Sequence, residues 1–535
     1  AMTELIFYRG NEPITVKQSN EVCYLYRIGS GQVEGRQFID LNDSDQLNAL
    51  AEQNRDEYTH WVYSLNENFL ASDLIIDDLS LFFLTDLSCK RSEFFETFDL
   101  LCSLLLIQKR LASVDLKKAC LIGFESSFVT TFKSIFPKVT VTTRKEVQPR
   151  VRVSRRLTSD GIYLLRLLAV LTYNRIVKHR IHFAECAERV FFSYYPQIFS
   201  KSGGDTKYGT FVEEKDQYVV SIMTDGMHQR TSVANYIAWS REAENNGFAV
   251  IDRYLEWPDL LNGLYWLGRM WLFYLKEKSR TYLFKTVDIS SLIRVELIFS
   301  ISRIMRLCVL KGPLRRFIQK NQFTELVYYP CEYPIGRLIS WVSKTEAPSM
   351  VRTGFQMGIV SRRRLEQYLA PEEAAQAPPF LKHAPIPDRI LAEDAAAASI
   401  YRRSGYQNVQ IMETVYRFGY LEGIETKKKS DLILIAPGLH DGATMLEQLR
   451  SEIENNPSTN YLVKPHPRAD NQYLDQWSCI QNLSITVLDI EELLASVSRV
   501  FVSYSSVGVE ARRLGLDVTV IDVPGRINTS PLLDT

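Results

Sequence analysis

Three short loops near the end of the chain carry polar side chains directly after apolar runs. They are Gly438-Leu-His-Asp-Gly442, Lys464-Pro-His-Pro-Arg468 and Ser503-Tyr-Ser-Ser-Val-Gly508. Each preceding run has the composition of a buried strand, and in parallel sheets ligands bind beyond the carboxyl ends of the strands. These loops are therefore the predicted ligand site, and Gly438 of the first loop is counted among its donor-binding residues.

The serine loop has the composition of a phosphate site. Ser503, Ser505 and Ser506 precede a predicted helix that begins near Val507. Small residues let the backbone approach a phosphate, hydroxyls donate hydrogen bonds, and a helix N-terminus supplies free N–H groups. Glu510, one turn into the helix, is predicted to bind the ribose hydroxyls. The alternative is that Ser505 only caps the helix.

The histidine loop places an imidazole between two prolines. Pro465 and Pro467 stiffen the backbone and fix the direction of His466. A hydrogen-bonding imidazole at this place can neutralise a leaving phosphate. Lys464 and Arg468 flank it and could hold a phosphate or a carboxylate. The alternative is a histidine that is simply satisfied at a strand end.

The elements that must position these loops follow one another as strand, helix, strand from residue 431 to residue 521. This alternation predicts a parallel, doubly wound sheet. Similar alternation occurs over residues 4–147, where Trp61-Val-Tyr63 is one of the predicted strands, and again from residue 189. We therefore expect an α/β protein built from doubly wound, Rossmann-like units, the first of them an N-terminal α/β domain.

The predicted domains are residues 1–147, an acceptor-side lobe over 148–424 and a donor lobe over 425–535. The segment from Pro371 to Pro387 carries five prolines and several alanines, and we predict a surface linker there. Two stretches are rich in arginine and lysine, 144–189 and 294–320. They are interpreted either as solvated helix faces or as contacts with an anionic membrane or acceptor.

Composition bears on the partners of the protein and on its location in the cell. The 535 residues include 63 Lys plus Arg and 63 Asp plus Glu, so net charge gives no pull toward nucleic acid. The eight cysteines are scattered, which favours a reducing compartment and a cytoplasmic location. No run reaches the ~20 apolar residues that a membrane span needs. The first residues, Ala-Met-Thr-Glu-Leu, lack the features of a signal peptide, and we expect Ala1 to be a cloning remnant.

The His-Pro and Ser-Ser loops, about 40 residues apart, resemble the paired motifs of bacterial transferases that use cytidine-activated acidic sugars, namely sialyltransferases and the Kdo transferases of capsule and O-antigen. CDP-glycerol-dependent glycerophosphotransferases carry a similar combination.

Upstream, segments such as Gly354-Phe-Gln-Met357 and Met412-Glu-Thr-Val-Tyr-Arg-Phe418 resemble the end of the acceptor lobe in bacterial surface-carbohydrate proteins. A His usually follows the Gln in those proteins, and Met357 stands there in this chain. The resemblance covers roughly residues 185–535 and implies a GT-B-like fold, in which two Rossmann-like, doubly wound lobes face a cleft.

That resemblance implies a catalytic carboxylate. Asp441 occupies a loop comparable to the one that carries the acidic nucleophile of retaining Kdo transferases. A carboxylate can capture an oxocarbenium-like centre or deprotonate an acceptor hydroxyl. The alternative is that Asp441 caps the helix predicted at Ala443. Asp225 in Thr-Asp-Gly is the rival base, because inverting sialyltransferases carry their base on the acceptor lobe, although Asp-Gly also forms turns.

Together these observations predict transfer of an acidic ulosonic sugar from its CMP form to a bacterial surface glycan. Asp441 and His466 would be catalytic, and Lys464, Arg468 or Arg526 would meet the donor carboxylate. No Asp-X-Asp motif stands out, so no cofactor and a metal-independent reaction are expected. The open alternatives are glycerophosphate transfer from CDP-glycerol and a non-catalytic role in glycan assembly. Contact with the inner face of the plasma membrane is also left open.

Overall fold

The computed structural model describes residues 3–18, 21–92, 94–149, 152–177, 188–200, 203–224, 231–330, 334–427 and 430–534. Its three large sheets are all parallel and follow one another along the chain. In each sheet the first strand lies inside and later strands are added on both sides. The predicted α/β class with doubly wound parallel sheets is therefore confirmed.

The N-terminal unit is a five-stranded sheet in the order β5-β3-β1-β8-β9. Its strands are β1 Thr3–Arg9, β2 Ile14–Thr15, β3 Val22–Ile28, β4 Val33–Glu34, β5 Ile39–Asp40, β6 Ile75–Ile76, β7 Leu79–Ser80, β8 Lys118–Ile122 and β9 Thr140–Arg144. Its helices are α1 Ser44–Ser64, α2 Asn66–Ala71, α3 Asp86–Cys89, α4 Thr97–Arg110 and α5 Phe128–Ile135. The strand predicted at Trp61–Tyr63 was wrong, because Tyr58 and Val62 lie one turn apart on the buried face of α1.

The middle unit is a seven-stranded sheet in the order β12-β11-β10-β15-β16-β19-β20. Its strands are β10 Arg189–Tyr194, β11 Gln217–Ser221, β12 Ala249–Val250, β13 Leu283–Phe284, β14 Val287–Asp288, β15 Glu325–Tyr328, β16 Val351–Phe355, β17 Ala374–Ala375, β18 Ala384–Pro385, β19 Arg389–Ala392 and β20 Val409–Ile411. Its helices are α6 Val153–Ile176, α7 Val233–Asn245, α8 Trp257–Glu277, α9 Ser290–Lys320, α10 Pro334–Glu346 and α11 Ala395–Arg403.

Two predictions for the middle unit need correction. The proline-rich segment 371–387 is not a bare linker, since Phe380 is fully buried and its N–H bonds the carbonyl of Asp78 at 2.7 Å. The basic stretch 294–320 forms α9, and two of its arginines, at 303 and 306, are turned inward. They pair with the buried carboxylates of Asp86 and Asp160 at 3.3 and 3.5 Å. These two charges neutralise buried acids, whereas Arg315 and Lys320 of the same stretch are exposed.

The C-terminal lobe is a five-stranded sheet in the order β23-β22-β21-β24-β25. Its elements are β21 Leu432–Ala436, α12 Gly442–Asn455, β22 Asn460–Val463, β23 Leu483–Ile485, α13 Ile490–Ser496, β24 Arg499–Val502, α14 Val507–Arg513 and β25 Asp517–Val520. Every strand and helix predicted between residues 431 and 521 is confirmed, to within a few residues at the ends. β21 pairs with both β22 and β24.

The N-terminal unit and the C-terminal lobe are docked through their loops. The N–H of Gly29 bonds the carbonyl of Pro524 at 2.9 Å, and the Ser30 hydroxyl bonds the carbonyl of Thr444 at 2.6 Å. The Thr444 hydroxyl reaches Asn11 at 2.8 Å. These bonds bring the carboxyl ends of β1 and β3 to face those of β21 and β24.

At the corresponding end of the middle sheet, the described residues form a closed cluster. The carboxylate of Asp205 accepts hydrogen bonds from the Tyr329 hydroxyl at 3.0 and 3.1 Å and from the backbone N–H of Tyr208. Both tyrosines are buried and stack with ring centroids 4.6 Å apart. Described side chains thus occupy part of the place where a doubly wound sheet ordinarily binds a ligand.

Candidate active site

A cavity of about 350 Å³ lies between the N-terminal unit and the C-terminal lobe. Ligand pockets range from ~300 to ~1,000 Å³, so it can hold a small ligand. The lobe contributes His440, Asp441, Thr444, Ser503, Tyr504 and Arg526, and the N-terminal unit contributes Arg9, Ser92, Phe94, Glu96 and Asp99. The cavity borders the switch point of the lobe sheet, where the chain turns to opposite sides after β21 and β24.

Asp441 carries a buried carboxyl group that forms no ion pair with the described residues. Its oxygens lack accessible surface and make no hydrogen bond of ordinary geometry, but the Ser503 hydroxyl and the backbone N–H groups of Gly438 and Asp441 lie close enough to stabilise its charge. Burial raises the pKa of Asp441, and the neighbouring Ser503 hydroxyl opposes that rise. Asp441 is the N-cap residue of α12, yet its side chain makes no capping bond. The carboxyl group therefore has no structural task at the helix end.

Two glycines let aromatic rings pack beside this carboxyl group. A Cβ at Gly438 would lie 2.3 Å from the Tyr504 ring, and one at Gly442 would lie 2.1 Å from the Tyr473 hydroxyl. Burial and the Asp441 carboxyl group raise the pKa of Tyr473 to about 12. Neither glycine has a positive φ, so the requirement is for space. The first loop is thus held by aromatic packing against its backbone.

A network of charges joins the two walls. Arg526 of the lobe pairs with Glu96 and lies 3.7 Å from Asp99, both on the N-terminal unit, and Arg9 pairs with Glu96 at 2.6 Å. The pKa of Asp99 is raised to about 7, because burial and the Glu96 carboxylate raise it by more than Arg526 lowers it. Burial lowers the pKa of Arg526, but Glu96 and Asp99 outweigh burial and the net shift is upward. The same arginine acts electrostatically on Asp441.

The histidine loop lies beside the first loop but outside the walls of this cavity. Its strand β22 is paired with β21 on the side away from β24. His466 accepts a hydrogen bond from the N–H of Arg468 at 3.2 Å, and Lys464 donates to the carbonyl of Leu488 at 2.6 Å. Neither these residues nor Pro467 line the cavity. Their predicted donor contacts remain predictions that this cavity does not support.

Only part of the serine loop lines the cavity. Ser503 lines the cavity, whereas Ser505 bonds the N–H of Val507 at 3.4 Å and Ser506 donates to Glu510 at 3.2 Å. Glu510 is buried and accepts a second bond from the Tyr420 hydroxyl at 2.5 Å. The structure therefore brings Ser503, Asp441 and Arg526 together and leaves Ser505, Ser506 and Glu510 behind them.

The remaining predicted residues fall elsewhere. Asp225 lies outside the described residues. In the part of the chain that is described, no group of three His, Cys, Asp or Glu side chains could hold a metal ion.

The sequence analysis missed Arg9, Glu96, Asp99, His440 and Tyr504. Arg9 could have been found, because it ends a parallel strand just as the lobe loops do.

Comparisons with known proteins describe the fold only. No family model and no curated protein sequence matches the chain. Similar solved structures include UDP-GlcNAc 2-epimerase from Neisseria meningitidis bound to UDP-GlcNAc, at TM-score 0.34 and 9% identity over 62% of this chain and 82% of that one. MurG from Acinetobacter baumannii gives 0.32 and 10% over 63% and 79%. Alr3699/HepE from Anabaena with UDP and glucose gives 0.33 and 10% over 63% and 82%. The fold class accordingly rests on the strand order and registers described above.

Proposed function

We propose that this protein is a glycosyltransferase that moves a sugar from a nucleotide-activated donor to a glycan acceptor in the cavity between its N-terminal unit and its C-terminal lobe. The observation that carries the proposal is the buried carboxyl group of Asp441, which forms no ion pair with the described residues, at the switch point of the lobe sheet. A buried carboxyl group without a cation to pair with it costs folding free energy. Such a group is the kind that active sites retain for chemistry.

The donor proposed is a CMP-activated acidic sugar, such as Kdo or a nonulosonate. This donor carries a phosphate and a carboxylate, and the cavity offers the guanidinium groups of Arg526 and Arg9. The N-terminus of α12, a helix of 14 residues, adjoins the same cavity with no side-chain cap from Asp441. Free N–H groups and the helix dipole favour an anion at such an end. Ser503 adds a hydroxyl donor on the neighbouring strand.

The acceptor side of the cavity is proposed to be the N-terminal unit. Its wall presents Glu96 and Asp99 from the start of α4, opposite the lobe. A general base works best when its pKa lies near the operating pH, and the pKa of Asp99 is raised to about 7. Asp99 therefore suits removal of the proton from an acceptor hydroxyl, and Arg526 positions it. This role was first expected of the segment 148–424, whose described residues do not line the cavity.

The chemistry can follow two courses from these groups. In a single displacement, the acceptor oxygen bonds the anomeric carbon, the bond from that carbon to the phosphate oxygen breaks, and Asp99 takes the hydroxyl proton. In a double displacement, the ionised Asp441 first bonds the anomeric carbon and releases the nucleotide. The acceptor then displaces Asp441 while Asp99 takes the proton. The first course inverts the anomeric configuration and the second retains it.

Nucleotide binding tests the donor. CMP should raise the melting temperature of the protein at concentrations where UDP does not, and incubation with a panel of CMP-sugars should release CMP. The matched pair His440→Ala and His466→Ala locates the site. The first should raise the KM for the donor, because His440 lines the cavity and His466 does not. Protection by UDP alone would overturn the donor assignment. A product that carries phosphorus from CDP-glycerol would show glycerophosphate transfer instead.

A further inference from the structure

Helix α8 turns an apolar stripe toward solvent. Leu261, Leu264, Tyr265, Leu272 and Leu275 are each between 48% and 66% exposed. Their spacing of three, one, seven and three residues keeps them on one side of the helix. The opposite side carries Leu260, Trp266, Met270 and Phe273, which are buried in the core. A soluble surface helix ordinarily has polar residues on its outer side, whereas the outer side of α8 is mainly apolar, with Gly268 exposed midway along it and Arg269 donating a hydrogen bond to the Tyr265 hydroxyl at 3.0 Å.

No exposed carboxylate interrupts the stripe. Between Trp257 and Lys276 the only acidic residue is Asp259, which is buried and pairs with Arg316. From Leu261 to Leu275 the stripe runs through 15 residues, a length of ~22 Å at 1.5 Å per residue. Gly268 and Arg269 separate its two halves, so the exposed apolar side chains form two adjoining clusters and not single scattered leucines.

Cations gather at the two ends of the stripe. Near its start, the Arg175 guanidinium of α6 lies 5.8 Å from the centre of the Trp257 ring, and Lys320 of α9 lies 5.3 Å from that of Tyr254. A cavity of about 340 Å³ opens there and is lined by both cations and by Trp257. Near its other end Lys276 reaches the hydroxyl of Ser72 at 3.4 Å. Both ends therefore carry positive charge beside apolar surface.

This combination matches the boundary of an anionic bilayer. Interfacial helices place leucines and aromatic rings among the acyl chains and keep lysines and arginines at the headgroups. No helix in the described ranges, α8 included, is long and apolar enough to cross a membrane. A second copy of the chain fits less well. The exposed carboxylate at that end of α8, Glu256, already pairs with Arg316 at 3.4 Å, so two paired α8 stripes would bring an excess of cations, Arg175 and Lys320 among them, against other cations or against apolar surface.

We propose that the outer face of α8 docks the protein on an anionic phospholipid bilayer. The leucines enter the acyl boundary, and Arg175 and Lys320 contact lipid phosphates at the mouth of the 340 Å³ cavity. This surface differs from the cavity that binds the donor and shares no residue with it. The inference does not depend on the proposed reaction, because docking can be measured without a donor or an acceptor.

Vesicle sedimentation with the full chain tests the docking. The protein should bind vesicles of phosphatidylcholine with 30% phosphatidylglycerol at least about tenfold more strongly than pure phosphatidylcholine, and binding should weaken with salt. The triple variant Leu261→Gln, Leu264→Gln, Leu272→Gln should lose at least about tenfold in partitioning. Its control is Val487→Gln, which changes an exposed valine of the lobe.

A second experiment tests the role of the cations. The double variant Arg175→Glu with Lys320→Glu should lose the preference for anionic vesicles. Lys138→Glu, at an exposed lysine of the N-terminal unit, is its control and should leave that preference intact. All variants alter exposed positions, and their melting temperatures should match that of the parent chain. Equal binding by the triple variant and the parent would overturn the proposal. So would a parent chain that is dimeric in solution and becomes monomeric in the triple variant, because the stripe would then be an interface between copies.

Discussion

At the scale of single residues, the proposed active site centres on Asp441. The residue stands at the N-cap of α12, its side chain makes no capping bond, and no described cation forms an ion pair with it. A carboxyl group used only as a helix cap would make that capping bond. The contrast is visible nearby, where Asp43 caps α1 through the N–H of Gln46.

Replacing Asp441 by Asn should lower kcat by about 10²–10⁴-fold, the range found for a lost acid, base or nucleophile. Stability should hold or rise, because the amide removes an ionisable group whose pKa burial has raised. Initial rates of CMP release and thermal melts measure the two effects. Asp475→Asn, in the same lobe but outside the cavity, should change neither. Full activity in the Asn variant would exclude Asp441 from the mechanism.

Asp99 should set the pH dependence of the reaction. As a base whose pKa is raised to about 7, it should give a kcat/KM that rises with pH, reaches half its maximum near pH 7 and then levels off. In Asp99→Asn the rate should be low at all pH values without this limb. Asp115→Asn, an exposed carboxylate elsewhere on the N-terminal unit, should keep the parent profile.

The pH dependence of stability should be opposite to that of kcat/KM: the Asp99 carboxyl group should make the folded protein less stable as the pH rises. The folded protein keeps the Asp99 proton up to about pH 7, whereas the unfolded chain releases it near the ordinary value of 3.8. Its contribution to stability is therefore full below about pH 4 and is lost as the pH rises through about 7. Melting temperatures from pH 4 to 8 should show this fall in the parent and a smaller one in Asp99→Asn. A steeper fall in the variant would contradict the assignment.

These residues differ in how far the sequence could reveal them. Asp441 and Ser503 follow buried strands, so the rule for ligands beyond strand ends found them. Glu96 and Asp99 sit at a helix start with nothing local to mark them. Their importance arises from Arg526, which is more than 400 positions away along the chain. A single sequence does not contain that pairing.

At the scale of elements, the loops that hold the site depend on close packing against glycine. Gly438→Ala should displace the Tyr504 ring, because the new Cβ would lie 2.3 Å from it. We expect a loss of stability of roughly 1–3 kcal/mol from overpacking and a raised KM for the donor. Thermal melts and donor kinetics measure both. Gly161→Ala in α6, with no atom within 4 Å of its Cβ, should be neutral or stabilising by up to about 1 kcal/mol.

Helix α9 shows why charge alone misled the sequence analysis. Its spacing of arginines is that of an exposed face, but Arg306 is almost fully buried and its partner Asp160 lies 146 positions earlier, on α6. The pattern of charge does not tell whether a distant acid will neutralise it. By contrast, the helices and strands of the C-terminal lobe are fixed by local apolar runs and glycine stops such as Gly515.

Removing one partner of the Arg306–Asp160 pair should therefore be costly. Arg306→Met should destabilise the fold by about 3–5 kcal/mol, because Asp160 would remain buried without its cation. Adding Asp160→Asn in the same chain should restore much of that loss. Denaturant unfolding measures both variants. Arg315→Ala, which breaks an exposed pair with Glu346, should cost no more than about 1 kcal/mol.

At the scale of the whole molecule, three doubly wound sheets are arranged so that the first and the last share a cavity. Two lobes face each other across a cavity, but they are the N-terminal unit and the C-terminal lobe, whereas the GT-B-like cleft was predicted between the segments 148–424 and 425–535. The sequence predicted each α/β unit from its own periodicity. Which unit faces which depends on loop contacts such as Gly29 with Pro524, and periodicity carries no information about those.

Arg526 should couple the docking of the two walls to the chemistry. Arg526→Gln removes the pairs with Glu96 and Asp99, so the amide of Gly29 should exchange its hydrogen faster. The loss of the cation should also raise the pKa of Asp99 and move the pH midpoint of kcat/KM above 7. Arg450→Gln, which pairs only within α12, is the control. An unchanged midpoint would separate Arg526 from the base.

The cavity takes one wall from Arg9 and the other from residues as late as Thr529. On a translating ribosome, a nascent chain would thus fold its first sheet hundreds of residues before the opposing wall leaves the exit tunnel. Donor turnover would begin only after that last docking step. A chain cut between the two walls would separate the residues of the cavity, and the proposed transfer reaction would stop.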